Sequence, residues 1–203
     1  MQTSLLVIDD FLDNPLELRQ AALSLDYPKP NEETYFPGLN SAQPIMLQGL
    51  ESQVSRLVGE HIRPVPGTAH GKFRMTLEGD EGLGDIHVDA QCHWAGIYYL
   101  SLPEHCHGGT DFFRHKPTDM DRAPVFPEDR ERLGMKSFDD VVEQIIKPHS
   151  KDRSQWEHIM RVPMRFNRLV LFRPWLWHTS GPGFGTSKKD GRLIQMMFFA
   201  NAA

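Results

Sequence analysis

Three side chains, His87, Asp89 and His178, offer the donor types from which a reactive metal centre is built. In the segment DIHVD, His87 and Asp89 stand two positions apart. On an extended strand such positions point to the same face, so one imidazole and one carboxylate converge on a common point. A third donor is available in His178, which ends the apolar run NRLVLFRPWLWH just before a glycine-rich stretch. Two histidines and one carboxylate on one side of an ion suit iron(II), because the other side stays open to dioxygen and a chelating keto acid. Alone, an H-x-D pair is more often a surface or core pair than a metal site; its companions give it weight.

Arg192 opens the strand-like segment RLIQMMFF, which could run back beside the one bearing His178. A guanidinium there could hold the distal carboxylate of a dicarboxylic co-substrate through two parallel hydrogen bonds. Arg74, Arg168 and Arg173 compete for that role, and an arginine at a strand edge can equally face water. Tyr98 and Tyr99 are adjacent, so only one faces the interior; Tyr99 is taken as the neighbour of the co-substrate, against a plain core tyrosine. Trp175 and Trp177 share a face and read as pocket wall or core packing. Arg114 and His115 could reach the mouth of the site, or simply lie in a solvated loop. Cys92-His93 and His105-Cys106-His107 match no usual zinc spacing, and Gly108-Gly109 reads as a tight bend rather than a phosphate loop.

The elements that must position these groups fall into two textures. Ser4 to Ile8 suits a short strand, and Asp13 with Pro15 marks a helix start whose buried face would be Leu16, Leu18, Ala22 and Leu25. A second helix is expected from about Pro44 to His61, on Ile45, Leu50, Val54, Leu57 and Val58. From Lys72 onward the segments are short, β-branched or aromatic, with strands expected at KFRMTLE, DIHVD, HWAGIYYLS, TDFFRH, NRLVLFR and RLIQMMFFA. Strands without regular intervening helices argue for antiparallel sheets in a sandwich or barrel, giving a mainly β, α+β domain with supporting helices. One insertion, about 116–161, interrupts them; it carries the capping-box pair Ser137 and Asp140 and would form a lid or rim.

Composition narrows the function classes. Hydrophobic residues at 39% and charged residues at 24% are ordinary for a globular chain of 203 residues, read as one domain, 1–203, with N-terminal supporting helices at about 1–62. With 22 Lys and Arg against 27 Asp and Glu, the net charge is -5, and no basic run tracks a phosphate backbone, so nucleic acid is not an expected partner. No segment reads as a signal peptide or bilayer span, and two cysteines are too few for a secreted disulfide scaffold. A cytoplasmic location without membrane contact is expected, and the oligomeric state is not legible.

Taken in order, VIDDFLDN, KFRMTLEGDEGLGDIHVD, AGIYYLS followed by GGTDFF, NRLVLFRPWLWHTS and GRLIQMMFF resemble the landmarks of the iron(II) and 2-oxoglutarate-dependent dioxygenases, nearest the prolyl-hydroxylase-like branch. The likeness runs from about Lys72 to Ala200 apart from the insertion, with a fainter N-terminal echo. It implies a double-stranded β-helix, the jelly-roll or cupin-like barrel, with His87, Asp89 and His178 as catalytic iron ligands and Arg192 on the 2-oxoglutarate carboxylate. It also implies oxidative decarboxylation of 2-oxoglutarate to succinate and carbon dioxide, coupled to hydroxylation of a small-molecule or peptide substrate. GPGFGTSKKDG makes the interval from His178 to Arg192 longer than the family's usual one. The alternatives are a metal-binding cupin-like barrel with non-oxidative activity and a non-catalytic ligand-binding relative.

Overall fold

A computed structural model of the chain describes residues 3–89 and 91–202. The strands are β1 (Leu5–Ile8), β2 (Leu39–Asn40), β3 (Ile62–Pro64), β4 (Phe73–Thr76), β5 (Trp94–Tyr99), β6 (Gly109–His115), β7 (Trp156–Pro163), β8 (Leu169–Phe172), β9 (His178–Thr179) and β10 (Arg192–Asn201). The longer helices are α1 (Pro15–Ser24), α2 (Leu50–Val58) and α3 (Pro127–Arg132), followed by α4 (Phe138–Val141), which runs on through a π turn at Val142–Ile146. Five of the six expected strand segments past Lys72 are strands, so the chain is sheet-rich with few helices.

The strands form two antiparallel sheets. The larger has the order β1-β8-β5-β10-β4-β2, with β3 also paired to β10, and the smaller has the order β7-β6-β9. Strand β10 organises the large sheet, since it pairs with β5 along one side and with β4 and β3 in succession along the other. Its alternate residues serve two cores, as the period of two in a strand requires. Leu193, Met197 and Phe199 join α1 and α2 on one face, where Leu18, Ala22, Leu50, Val54 and Val58 cover the sheet. Ile194 and Met196 face the other way and meet Phe112 of β6 and Val162 of β7, so the two sheets pack on a shared inner core.

The supporting helices form as helical spacing demands, with differences in detail. Helix α2 buries Leu50, Val54 and Val58 four residues apart, but starts later than expected and leaves Leu57 outside. It stops at Gly59, whose φ of 71° is the left-handed conformation that glycine adopts without steric cost. In α1, Leu16 is 53% exposed while Arg19 is buried. The Arg19 side chain donates to the carbonyls of Leu100 (2.9 Å) and Lys189 (2.6 Å), so it ties the helix to two loops.

Two expectations are corrected. DIHVD is not a strand, because its regular pairing is limited to one bridge between His87 and His178. The 116–161 segment ends inside a strand, since β7 begins at Trp156 and pairs along β6. Nor does that segment line the cavity beside the three candidate side chains. Met135, Val141 and Ile145 pack with Phe113, Trp156 and Trp177 in a third core on the outer side of the small sheet. Phe112 and Phe113 point in opposite directions, and the outward one needed cover.

Candidate metal centre

His87 and His178 exchange both backbone hydrogen bonds, 2.9 Å one way and 3.0 Å the other, which sets their rings side by side with centroids 4.3 Å apart. Asp89 is brought to the same point because its N–H donates to the carbonyl of Pro174, four residues before His178 (2.9 Å). One donor atom from each of His87, Asp89 and His178 lies within 4.8 Å of the others. Nε2 of His178 is 3.4 Å from Oδ2 of Asp89, and Nε2 of His87 is 3.9 Å from Oδ1. Among the described residues these three make the group able to hold a metal ion.

Each ring is aimed by its own backbone. Nδ1 of His87 donates to the carbonyl of Asp85 (2.7 Å), and Nδ1 of His178 donates to that of Leu176 (2.8 Å). With the proton held at Nδ1, the Nε2 lone pair is left for an ion, the usual arrangement behind a metal-bound histidine. Asp85 braces the pair further, since Thr179 donates to its Oδ1 (2.7 Å) and Arg153 pairs with its Oδ2 (2.7 Å).

The electrostatics favour the ligating forms. Burial, with His178 adding to it, pushes the His87 imidazole down to about 4 against the pull of Asp89, so the ring is neutral at pH 7. Burial works to raise the Asp89 carboxyl, but the polar imidazoles of His178 and His87 beside it and the charge of the Arg74 guanidinium hold it below its ordinary value. A neutral imidazole and an ionised carboxylate are what a cation needs.

Beside the three lies a cavity of about 410 Å³, also bordered by Arg74, Phe36, Ile97, Met196 and Phe198. Its size and mixed lining are those of a small-ligand site. Arg192 sits behind Ile194 on the same face of β10 and is 1% exposed, with its guanidinium carbon 6.0 Å from the centre of the Tyr99 ring. None of its three side-chain nitrogens has a hydrogen-bond partner among the described residues. A buried, unpartnered guanidinium is costly and calls for an anion. Burial pushes it below its ordinary basicity, countered by Tyr99.

The competing arginines sort themselves by partner. Arg168 is paired with Asp9 (2.6 Å), and Arg173 with Glu60 while it stacks on Trp94 at 4.0 Å. Arg74 borders the cavity. Tyr99 faces the inner core and its hydroxyl is 2.6 Å from Thr110 Oγ1, whereas Tyr98 faces the helices. His115 does not reach the site: it is buried beside His149 (2.9 Å) and Trp156, while Arg114 pairs with Asp119 at the surface. Trp177 is core packing, against Trp156. Phe36, whose ring centroid lies 4.5 Å from that of His87, comes from a loop that no sequence pattern singled out. No helix of the described residues is long and apolar enough to cross a membrane.

A family model described as a family of unknown function, DUF6445, matches residues 1–199. No curated protein matches the sequence. Among solved structures, AviO1 from Streptomyces viridochromogenes Tue57 is 15% identical, with a TM-score of 0.54 over 100% of this chain and 91% of its own. HygX from Streptomyces hygroscopicus, solved with nickel, 2-oxoglutarate and hygromycin B bound, is 14% identical, with a TM-score of 0.51 over 99% of this chain and 84% of its own. A prolyl hydroxylase from Trichoplax adhaerens, in complex with a hypoxia inducible factor peptide fragment, is 14% identical and reaches 0.49 over 98% and 84%. The chain therefore shares the fold of AviO1 and HygX.

Proposed function

We propose that this chain, which belongs to the DUF6445 family, is an iron(II)- and 2-oxoglutarate-dependent oxygenase that hydroxylates an organic substrate. The observation that carries the reading is a pairing of two needs: three donor side chains converging on a point, and a buried guanidinium with no partner among the described residues, on the same face of β10 as Ile194, which borders the cavity beside them. The likeness to HygX, whose structure holds nickel and 2-oxoglutarate together, supports it. A jelly-roll barrel, the double-stranded β-helix, is the architecture we assign to the two facing sheets.

The residues fit both groups. His87 and His178 would each offer Nε2, and Asp89 a carboxylate oxygen, to iron(II). Arg192 would hold the distal carboxylate of 2-oxoglutarate, whose charge removes the penalty of burying the guanidinium unpaired. When bound, iron with 2-oxoglutarate supplies the oxidising power to replace a C–H bond by C–OH, releasing succinate and carbon dioxide. The protein's part is to keep both histidines in the Nδ1–H form, keep Asp89 ionised, and hold the co-substrate in one orientation. Tyr99, locked to Thr110 beside Arg192, shapes the inner end of that pocket.

The test is anaerobic addition of iron(II) and 2-oxoglutarate to the purified chain. A weak visible charge-transfer band, followed in air by slow conversion of 2-oxoglutarate to succinate, is the expected result. Metal binding with neither the band nor succinate would overturn it in favour of a non-oxidative barrel.

A further inference from the structure

Arg74 stands in the middle of β4, opposite Ile194 of β10 and on the same inner face as Arg192. Its Nε donates to Oδ1 of Asn40 (2.8 Å), and its guanidinium carbon lies 5.1 Å from the centre of the Phe36 ring. Those contacts fix the plane of the fork. Its two terminal nitrogens have no hydrogen-bond or salt-bridge partner among the described residues, and the side chain borders the cavity that also touches Asp89, His87 and His178. Arg74 is therefore an oriented cation with its free end at a small-ligand space.

A charge count says what that end is for. This step rests on the oxygenase reading above. Divalent iron and dianionic 2-oxoglutarate cancel, and Asp89 offsets one of the two arginines. One positive charge is left over, in a cavity otherwise bordered by neutral and apolar groups such as Ala69, Ile97, Met196 and Phe198. Uncompensated charge in a partly dry pocket is expensive, so the remaining ligand should bring one negative charge. Arg192 is fully buried and suits the co-substrate; Arg74 faces the space left for the substrate.

We propose that the substrate is a small organic monocarboxylate with an apolar body, whose carboxylate is gripped by the terminal nitrogens of Arg74 while the body lies against Ile97, Met196 and Phe198. A planar fork matches a carboxylate through two parallel hydrogen bonds. The reaction balances as one C–H bond of the acid replaced by C–OH, with one atom of dioxygen entering the product and the other entering succinate as carbon dioxide leaves. Dioxygen takes up four electrons, two from the acid and two from 2-oxoglutarate.

The experiment uses the full chain loaded with nickel(II), which supports binding without turnover, and reads affinity by calorimetry. First 2-oxoglutarate is titrated, then octanoate and phenylacetate, with octanamide and phenylacetamide as neutral matches and inorganic phosphate as a second anion. Both carboxylates are expected to bind and both amides to bind at least about tenfold more weakly. Arg74→Gln should abolish that preference while 2-oxoglutarate affinity stays within about twofold, which also shows that the variant is folded. Arg74→Lys should restore part of the preference, because the charge returns without the fork. The assignment is overturned if amides bind as well as acids, if phosphate outcompetes the carboxylates, if no carboxylate binds, or if Arg74→Gln weakens 2-oxoglutarate as strongly as Arg192→Gln does. Failure of the unaltered protein to bind 2-oxoglutarate at all sinks the oxygenase reading instead, and the first titration reports that separately.

Discussion

His87 and His178 lie far apart in the chain yet pair backbone to backbone, N–H to carbonyl in both directions, at 2.9 and 3.0 Å. The two imidazoles are thus held by main-chain geometry rather than by side-chain packing alone.

The first prediction concerns the metal. Manganese(II) or nickel(II) should raise the melting temperature of the chain, because a ligand that binds only the folded state stabilises it by mass action. Asp89→Ala and His178→Ala should each weaken the ion by about 100-fold or more, as removal of one of three donors does. Calorimetric titration checks both, and an unaltered protein indifferent to divalent ions would sink the triad.

Arg192 should show opposite effects with and without its partner. The guanidinium is buried with no partner among the described residues, so Arg192→Leu should raise the stability of the chain without added ligands by about 1–3 kcal/mol, worth roughly 3–10 °C in melting temperature. The same variant should lose about 100-fold in 2-oxoglutarate affinity. Melting curves with and without 2-oxoglutarate and metal would cross between variant and parent; parallel curves would mean that Arg192 does not meet the co-substrate.

His115 predicts an acid-side loss of stability. Burial, then the neighbouring His149, pushes its ring down to about 4 from an ordinary 6.5. Between those values the unfolded chain binds more protons than the folded one, so stability rises with pH across this window and is lost as pH falls through it. The slope from one group is at most about 1.4 kcal/mol per pH unit. His115→Gln should flatten denaturant-derived stability between about pH 6 and 4.5 relative to the parent, and an unchanged slope would remove the assignment.

The 116–161 segment should behave as a structural cover. Ile145→Ala, in the core that joins the segment to Trp156 and Trp177, should cost about 2–4 kcal/mol. Metal and 2-oxoglutarate affinities should stay within about twofold, because no residue of the segment borders the cavity beside the triad. A large change in either affinity with little loss of stability would restore the lid reading.

Much of this was legible in residue order. The H-x-D pair and the late histidine come together beside one cavity, the trailing arginine lies buried two residues along β10 from Ile194 at that cavity's border, and five of the six segments expected as strands past Lys72 are strands. What escaped notice was set by partners distant in the chain. DIHVD looked like a strand because of its alternation, yet only His178 supplies it a bridge. β7 escaped because Glu157 to Arg161 are exposed, as befits an edge strand, and present no apolar stripe. Arg74, Arg168 and Arg173 were indistinguishable by type, since Asp9 and Glu60, which claim two of them, lie well over a hundred positions away from their partners. Arg19 defeated the reading of α1 because carbonyls of two remote loops accept its hydrogen bonds, and Leu16 took the outward side.

Strand β10 presents Arg192, Ile194 and Met196 to one side and Leu193, Met197 and Phe199 to the other. A shift of its pairing by a single residue would send the guanidinium among the helices and strand three core side chains at the ligand space. Correct alignment of that one strand is therefore inseparable from the ability to bind an anion. During refolding, recovery of 2-oxoglutarate binding should keep step with recovery of the sheet, so that the co-substrate serves as a gauge of whether the central strand has found its place.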